Sequence, residues 1–278
     1  MNQALAPGLY IVATPIGNLG DITLRAIETL RGVSMIACED TRMTGKLLRY
    51  LGITGKMVRH DDHASEADRA RLIDAMRISP VALVSDAGTP LISDPGFRLV
   101  REARAAGVAI TSLPGASAAI VALTLSGLPS DRFLFAGFLP SKAKARSDAL
   151  AGLADIHATL IFYETAPRLD DALAAIGEEL PGRDVAIARE LTKKFEECRS
   201  GSAAELVAHY AAHPPKGEIV LMVGPPPAGP APAAADIDAM LLALLADLKP
   251  SQAAAQLARE TGLDRKALYA RAMELRSR

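Results

Sequence analysis

Two short charged clusters hold the residues of this chain best suited to chemistry. CEDTR at 38–42 sets Glu39, Asp40 and Arg42 together, and ARELTKKFEE at 188–197 sets Arg189 and Glu190 beside Lys193 and Lys194. A carboxylate can accept a proton and a neighbouring cation can grip a phosphate, so Glu39 or Glu190 suits the first task and Arg42 or Lys194 the second. The plain alternative is solvated loop charge with local pairing. Against it stands the position of both clusters, each at the carboxyl end of an apolar run that reads as a strand. RHDDH at 59–63 brings His60 and His63 close enough to suggest a metal, but it reads better as a polar surface loop.

Three turns rich in glycine and proline also leave apolar runs. GLYIVATPIGNLGD at 8–21 passes from a strand through Pro15, Gly17, Asn18 and Gly20 into a helical pattern. Such a turn lets backbone amides approach a ligand, with the positive end of a helix behind them. It is neither GxGxxG nor a P-loop, and a tight strand-to-helix connection explains it equally well. LVSDAGTPLISDPG at 83–96 places Asp86 two residues past a strand, where its carboxylate can accept ribose hydroxyls or offset a cationic ligand. Asp94 in the same loop reads as the N-cap of the helix that begins near Gly96. LPGASAA at 113–119 is a third turn of this kind, with Ser117 in or near the first turn of the next helix.

The elements that must position these turns alternate along the chain. Apolar runs at 9–13, 33–37, 81–84 and 108–113 read as strands, separated by helical patterns at 23–30, 41–51, 66–78 and 97–106, with a further helix-like stretch at 116–125. After the turn-rich SGLPSDR at 126–132 come strands at 133–138, 159–163, 185–188 and 218–223, with helices at 142–153, 169–180 and 203–211. Near-continuous apolar strands alternating with helices predict mainly parallel sheets covered on both faces. The expected organisation is an N-terminal α/β domain over 1–126, a second over 127–224, a Pro/Ala-rich linker over 225–235 and a helical basic module over 236–278. The last reads as helices at 236–248, 250–261 and 264–275, with a Gly262 turn and an Asp264 N-cap in the layout of a helix-turn-helix. A helical capping bundle with a solvated basic face would have the same sequence pattern.

Composition narrows the class. The chain has 278 residues, half of them hydrophobic and 23% charged, enough for a full core and for more than one domain. A formal net charge of −1 argues against a uniformly basic nucleic-acid coat, yet residues 249–278 carry seven Lys/Arg against three acids, a local excess of +4. Aromatic residues make up 4% with no tryptophan, which opposes a base-stacking single-strand binder but not recognition of folded RNA by shape and phosphate contact. Cys38 and Cys198 lack metal-type spacing and suit a reducing compartment as packing residues. With no leader pattern and no apolar run long enough to span a bilayer, the expectation is a cytoplasmic protein with no membrane role.

Six ordered segments carry a resemblance: TPIGNLGDIT (14–23), CEDTR (38–42), SDAGTPLISDPG (85–96), LPGASA (113–118), FYETAPR (162–168) and ARELTKKFEE (188–197). Together they resemble the ribosomal RNA small subunit methyltransferase I group of the tetrapyrrole-methylase fold class, from about residue 8 to the C-terminus. The resemblance implies S-adenosylmethionine as methyl donor, the 2′-hydroxyl of a cytidine in the decoding region of 16S rRNA as acceptor, the small ribosomal subunit as partner, and a homodimer. It implies that Asp86 and Gly88 contact the donor, and that Pro15, Ile16, Gly17, Ala116, Ser117, Phe162 and Tyr163 line the same cleft, Tyr163 with its hydroxyl toward it.

Methyl transfer from a sulfonium is an in-line displacement, so positioning supplies much of the rate. A ribose hydroxyl is a weak acid, which leaves a place for a proton acceptor or a cation and calls for no metal. Two other functions fit parts of the pattern. Methylation of a tetrapyrrole precursor would use the same fold but leaves the basic tail and charged clusters idle, and a non-catalytic rRNA-binding assembly protein would leave the donor loop idle.

Overall fold

The computed structural model describes residues 4–61, 63–227, 234–261 and 263–276. Most of the expected linker, the Gly262 turn and Arg278 lie outside the described residues. The chain divides into two compact units, 1–225 and 226–278.

The first half of the larger unit runs β1 (Gly8–Val12), α1 (Leu24–Gly32), β2 (Met35–Cys38), α2 (Thr41–Tyr50), β3 (Met57–Arg59), α3 (Glu66–Ile78), β4 (Pro80–Val84), α4 (Phe97–Ala105), β5 (Ile110–Leu113) and α5 (Ala118–Ser126). Short polar residues start these helices where the sequence places them. Thr23 and Asp40 accept backbone N–H bonds at the heads of α1 and α2, and Ser65 with Asp68 forms a capping box on α3. The five strands form one parallel sheet in the order β3-β2-β4-β1-β5. Alternation along each strand divides its side chains between two layers. Leu9, Ile11, Val81 and Leu83 pack with Leu72, Met76 and Leu99 of α3 and α4, while Val12, Ala82 and Val84 pack with Ala26, Leu30 and Leu48 of α1 and α2.

The second half continues with β6 (Phe133–Phe138), α6 (Ala143–Ala151), β7 (Thr159–Thr165), α7 (Leu169–Glu179), β8 (Val185–Arg189), β9 (Glu197–Gly201), α8 (Ala203–Ala212) and β10 (Glu218–Val223). Its sheet has the order β6-β7-β10-β8-β9. The α/β class expected from the sequence holds, but parallel pairing in this sheet is confined to β6 with β7; β10 runs antiparallel to both neighbours and β8 to β9. The physical reason is the connection between β8 and β9, seven residues with no helix, which can only return as a hairpin. Helices α7 and α8 cover one face of this sheet through Leu169, Leu173, Ile176, Leu206 and Tyr210, and α5 covers the other through Ala119, Ala122 and Leu123.

The smaller unit consists of α9 (Ala234–Leu245), α10 (Pro250–Thr261) and α11 (Arg265–Arg276) around Leu241, Ala254, Leu257, Leu268 and Ala272. Asp264 caps α11, its carboxylate accepting from the Ala267 N–H at 2.7 Å. Arg271 is a structural residue here, its guanidinium paired with Asp238 at 2.5 Å and Glu274 at 2.6 Å, whereas Arg265 and Lys266 lie exposed on α11. No helix among the described residues is long and apolar enough to cross a membrane.

Candidate active site

The parallel sheet has a switch point between β1 and β4. These strands are neighbours, yet the chain leaves β1 toward β2 through α1 on one face and leaves β4 toward β5 through α4 on the other. The diverging helices open a crevice beyond the strand ends, the place where open α/β sheets take ligands.

The turns after β1, β4 and β5 are laced together at this point. Thr14 and Gly88 exchange two backbone hydrogen bonds of 2.9 and 3.0 Å, the Thr14 hydroxyl donates to the Ser85 carbonyl at 3.1 Å, and the Thr89 hydroxyl donates to the Ala116 carbonyl at 2.9 Å. Gly88 has φ +83°, a conformation that calls for glycine, and a Cβ there would press on the Ile16 side chain at 3.3 Å. A cavity opens next to this knot. Ile16, Asp86, Gly88, Ile92 and Asp94 line it from the parallel-sheet loops, Ser117 and Ala118 from the start of α5, and Phe138, Tyr163, Glu190, Lys193 and Glu218 from the second sheet.

Of the residues expected to line the donor cleft, Ile16, Asp86, Gly88, Ser117 and Tyr163 line this cavity. Pro15, Gly17 and Ala116 do not line it. Gly17 abuts the loop after β8 so closely that a Cβ would lie 2.8 Å from the Leu191 carbonyl oxygen, and Ala116 contributes the carbonyl that holds Thr89. Phe162 is corrected to a core residue, 1% exposed among the leucines under α7, because alternation along β7 sends it to the face opposite Tyr163. Tyr163 packs edge-on against Phe135 and Phe138 at 4.9 and 5.6 Å, and burial pushes its phenol up.

Glu39 and Arg42 lie elsewhere, in a second, more polar cleft with Asp40, Arg59, Asp61 and His63. Asp86 lines both spaces and accepts a hydrogen bond from the Asp40 N–H at 3.2 Å, so it is their common wall. Arg42 pairs with Asp40 at 2.7 Å and Arg59 with Asp61 at 2.8 Å, while both guanidinium groups keep wide access to solvent. The Arg42 side chain and backbone N–H hold Asp40 down at about 2. His60, expected on a polar surface, is buried, whereas His63 is exposed. In the other charged cluster Glu190 lines the first cavity and pairs with Lys193 at 2.9 Å. Lys194 lines neither space and instead lies 5.5 Å over the Phe195 ring; Arg189 is engaged across the hairpin with Glu197.

Asp94 does not cap α4. The N-cap is Gly96, at φ +124° and without a side-chain bond, and Asp94 turns into the cavity. Burial, the charges of Glu39, Asp86 and Glu218 push its carboxyl up to about 6 despite a hydrogen bond with Ser85. The only non-glycine residues with left-handed φ among the described residues are Leu91 (77°), Ser93 (62°), Glu190 (50°) and Thr192 (63°), in two loops that both line the cavity. Backbone strain of this kind concentrates at functional sites. Five carboxylates line the cavity (Asp86, Asp94, Glu164, Glu190, Glu218) against one ammonium, Lys193. Glu164 is paired with Arg168 at 3.2 Å, and no ion pair among the described residues engages Asp86, Asp94 or Glu218. The unpaired excess beside apolar walls suits a ligand that is cationic and partly apolar.

The larger unit, with its two sheets and switch-point crevice, belongs to the tetrapyrrole methylase class. Residues 8–207 match the model of Tetrapyrrole (Corrin/Porphyrin) Methylases, and residues 231–276 match the "RsmI C-terminal HTH domain". A crystal structure of uroporphyrin-III-C-methyltransferase from Thermus thermophilus shares the fold, with a TM-score of 0.56 at 23% identity over 79% of this chain and 94% of that one. Ribosomal RNA small subunit methyltransferase I of Erythrobacter litoralis (strain HTCC2594) is 64% identical over 99% of this chain and 98% of its own length. The enzyme of the same name from Mesorhizobium japonicum is 52% identical over 99% and 94%. The chain belongs to the ribosomal RNA small subunit methyltransferase I family.

Proposed function

We propose that this protein methylates small-subunit ribosomal RNA, taking the methyl group from S-adenosylmethionine and placing it on the 2′-hydroxyl of a cytidine in the decoding region of 16S rRNA. The observation that carries the donor assignment is the cavity beyond β1 and β4, which combines apolar walls with an unpaired carboxylate excess. That combination fits a nucleoside bearing a sulfonium and an ammonium. When bound, the donor supplies an electrophilic methyl on a good leaving group. The chain's own residues do the rest. In this reading Asp86 accepts ribose hydroxyls, the Gly88 turn offers close backbone approach, and Tyr163, Phe138 and Ile92 supply the apolar side. Arg42 and Arg59, held upright by Asp40 and Asp61, are placed to grip phosphates flanking the acceptor nucleotide, and Arg265 and Lys266 add contacts from the helical unit. No residue on this route requires a metal. A cytoplasmic homodimer is part of the same proposal and rests on family resemblance.

Calorimetric titration of the full-length protein with S-adenosylmethionine tests the donor assignment. Saturable binding is expected, and absence of binding at high protein concentration would overturn it. Tritiated methyl incorporation into purified small subunits, set against a porphyrinogen acceptor, tests the acceptor class.

A further inference from the structure

Asp94 is a carboxylate with no cation beside it among the described residues. It does not cap α4, it is paired with no Lys or Arg among the described residues, and it directly follows a left-handed residue, Ser93, with a second, Leu91, two positions further back. Charged and titratable groups face it from several elements: Glu39 from the end of β2, Asp86 from the end of β4, Tyr163 from β7 and Glu218 from β10, with the Ser85 hydroxyl bonded to it. None of these is a cation, and Lys193, the one ammonium on the cavity wall, is bonded to Glu190.

Its position relative to the two spaces is the second observation. Asp94 lines the donor-side cavity, yet two of the carboxylates that act on it belong to the polar cleft: Asp86 is the shared wall and Glu39 lies in the cleft alone. Asp94 thus lines the cavity from the same β4–α4 loop as Asp86, the wall shared with the cleft that the acceptor nucleotide would enter.

We infer that the Asp94 carboxylate takes the proton of the acceptor hydroxyl during methyl transfer, an inference that rests on the donor occupying the cavity it lines. In the step the acceptor oxygen forms its bond to the methyl carbon, the carbon–sulfur bond breaks with its electron pair going to sulfur, and the hydroxyl proton passes to Asp94. No oxidant, reductant or metal enters the balance. The environment suits the task. An acid near 6 is ionised at neutral pH yet holds a proton more firmly than an ordinary aspartate, and a cationic donor alongside favours the ionised form needed before transfer. Glu190, another carboxylate on the cavity wall, is tied to Lys193 and is a weaker candidate.

The test is single-turnover methyl transfer to small subunits at saturating donor, between about pH 5 and pH 8. It compares the native enzyme with Asp94→Asn and Asp94→Glu, with donor affinity of each measured by calorimetry. Asp94→Asn keeps shape and polarity, so it is expected to fold and to bind donor within about tenfold of the native protein. Its transfer rate at pH 7.5 is expected to fall on the order of 10²- to 10⁴-fold, with loss of the rise in rate through and below about pH 6. Asp94→Glu should recover part of the rate together with that rise. A near-native rate for Asp94→Asn, or a rate loss fully matched by lost donor affinity, would overturn the inference. A native protein that fails to bind donor would instead overturn the donor assignment itself.

Discussion

Asp94→Asn should make the folded protein more stable at neutral pH while making it a poorer enzyme. The carboxyl sits at about 6 in the folded chain against an ordinary value of 3.8. Because the folded value is the higher one, the penalty is absent below the unfolded value, builds as pH rises from about 4 to about 6, and is complete above 6. A displacement of about two units corresponds to a ceiling of about 3 kcal/mol at 1.36 kcal/mol per unit. Asp94 retains some solvent contact, which brings the expected gain for asparagine to about 1–2 kcal/mol. For a unit of this size that is roughly 3–6 °C in melting temperature. Paired thermal melts of native protein and variant at pH 7.5 and pH 4 measure it. The variant should melt higher at pH 7.5, and the gain should shrink to roughly a few tenths of a kcal/mol at pH 4. A variant that melts lower at pH 7.5, or one whose advantage does not depend on pH, would show that the carboxylate is favourably partnered in the native protein and that the reasoning is wrong.

Asp86→Ala should weaken S-adenosylmethionine binding on the order of tenfold to a hundredfold with the fold intact by circular dichroism, and unchanged affinity would relocate the donor. Gly88→Val, which forces a branched side chain onto φ +83° against Ile16, should cost about 1–3 kcal/mol in denaturant melts and reduce donor binding together with it. Removing residues 226–278 should lower affinity for the RNA substrate and flatten its salt dependence more than it alters donor binding; collapse of donor affinity alone would make the helical unit a cap rather than an RNA handle. Within that unit Arg271→Ala should reduce hydrogen-exchange protection of α9 to α11, because it breaks the Asp238 and Glu274 pairs, whereas Arg265→Ala with Lys266→Ala should leave protection unchanged and weaken RNA binding.

Much of the architecture was legible in the chain because its strands are apolar and its helices capped by Thr23, Asp40, Ser65 and Ser202. The two strands that escaped reading are edges. β3 has three residues, and β9 carries Glu197, Cys198, Arg199 and Ser200, a polar run whose structure comes from pairing with β8 rather than from its own pattern. Strand direction in the second sheet depends on what lies between strands, and the charged ARELTKKFEE segment reads as a cluster, not as the hairpin it makes. The convergence of the turns at 14–17, 85–89 and 113–117 followed from their all leaving strand ends. Individual side chains did not follow as well. Phe162 and Tyr163 are separated by strand parity, Lys193 and Lys194 by one step of a tight loop, and Asp94 from a capping role by the left-handed Ser93 and the glycine that begins α4. Three-dimensional neighbours such as Glu39 and Glu218, which set the character of Asp94, are remote in sequence.

The most direct measurement of the whole account is to incubate the purified protein with tritiated S-adenosylmethionine and small ribosomal subunits, then digest the RNA and map the label by mass spectrometry. One labelled nucleotide is expected, a cytidine of the decoding region bearing its methyl group on the ribose 2′-oxygen. Label on a base, label scattered over many nucleotides, or no transfer by a protein that binds the donor would contradict it.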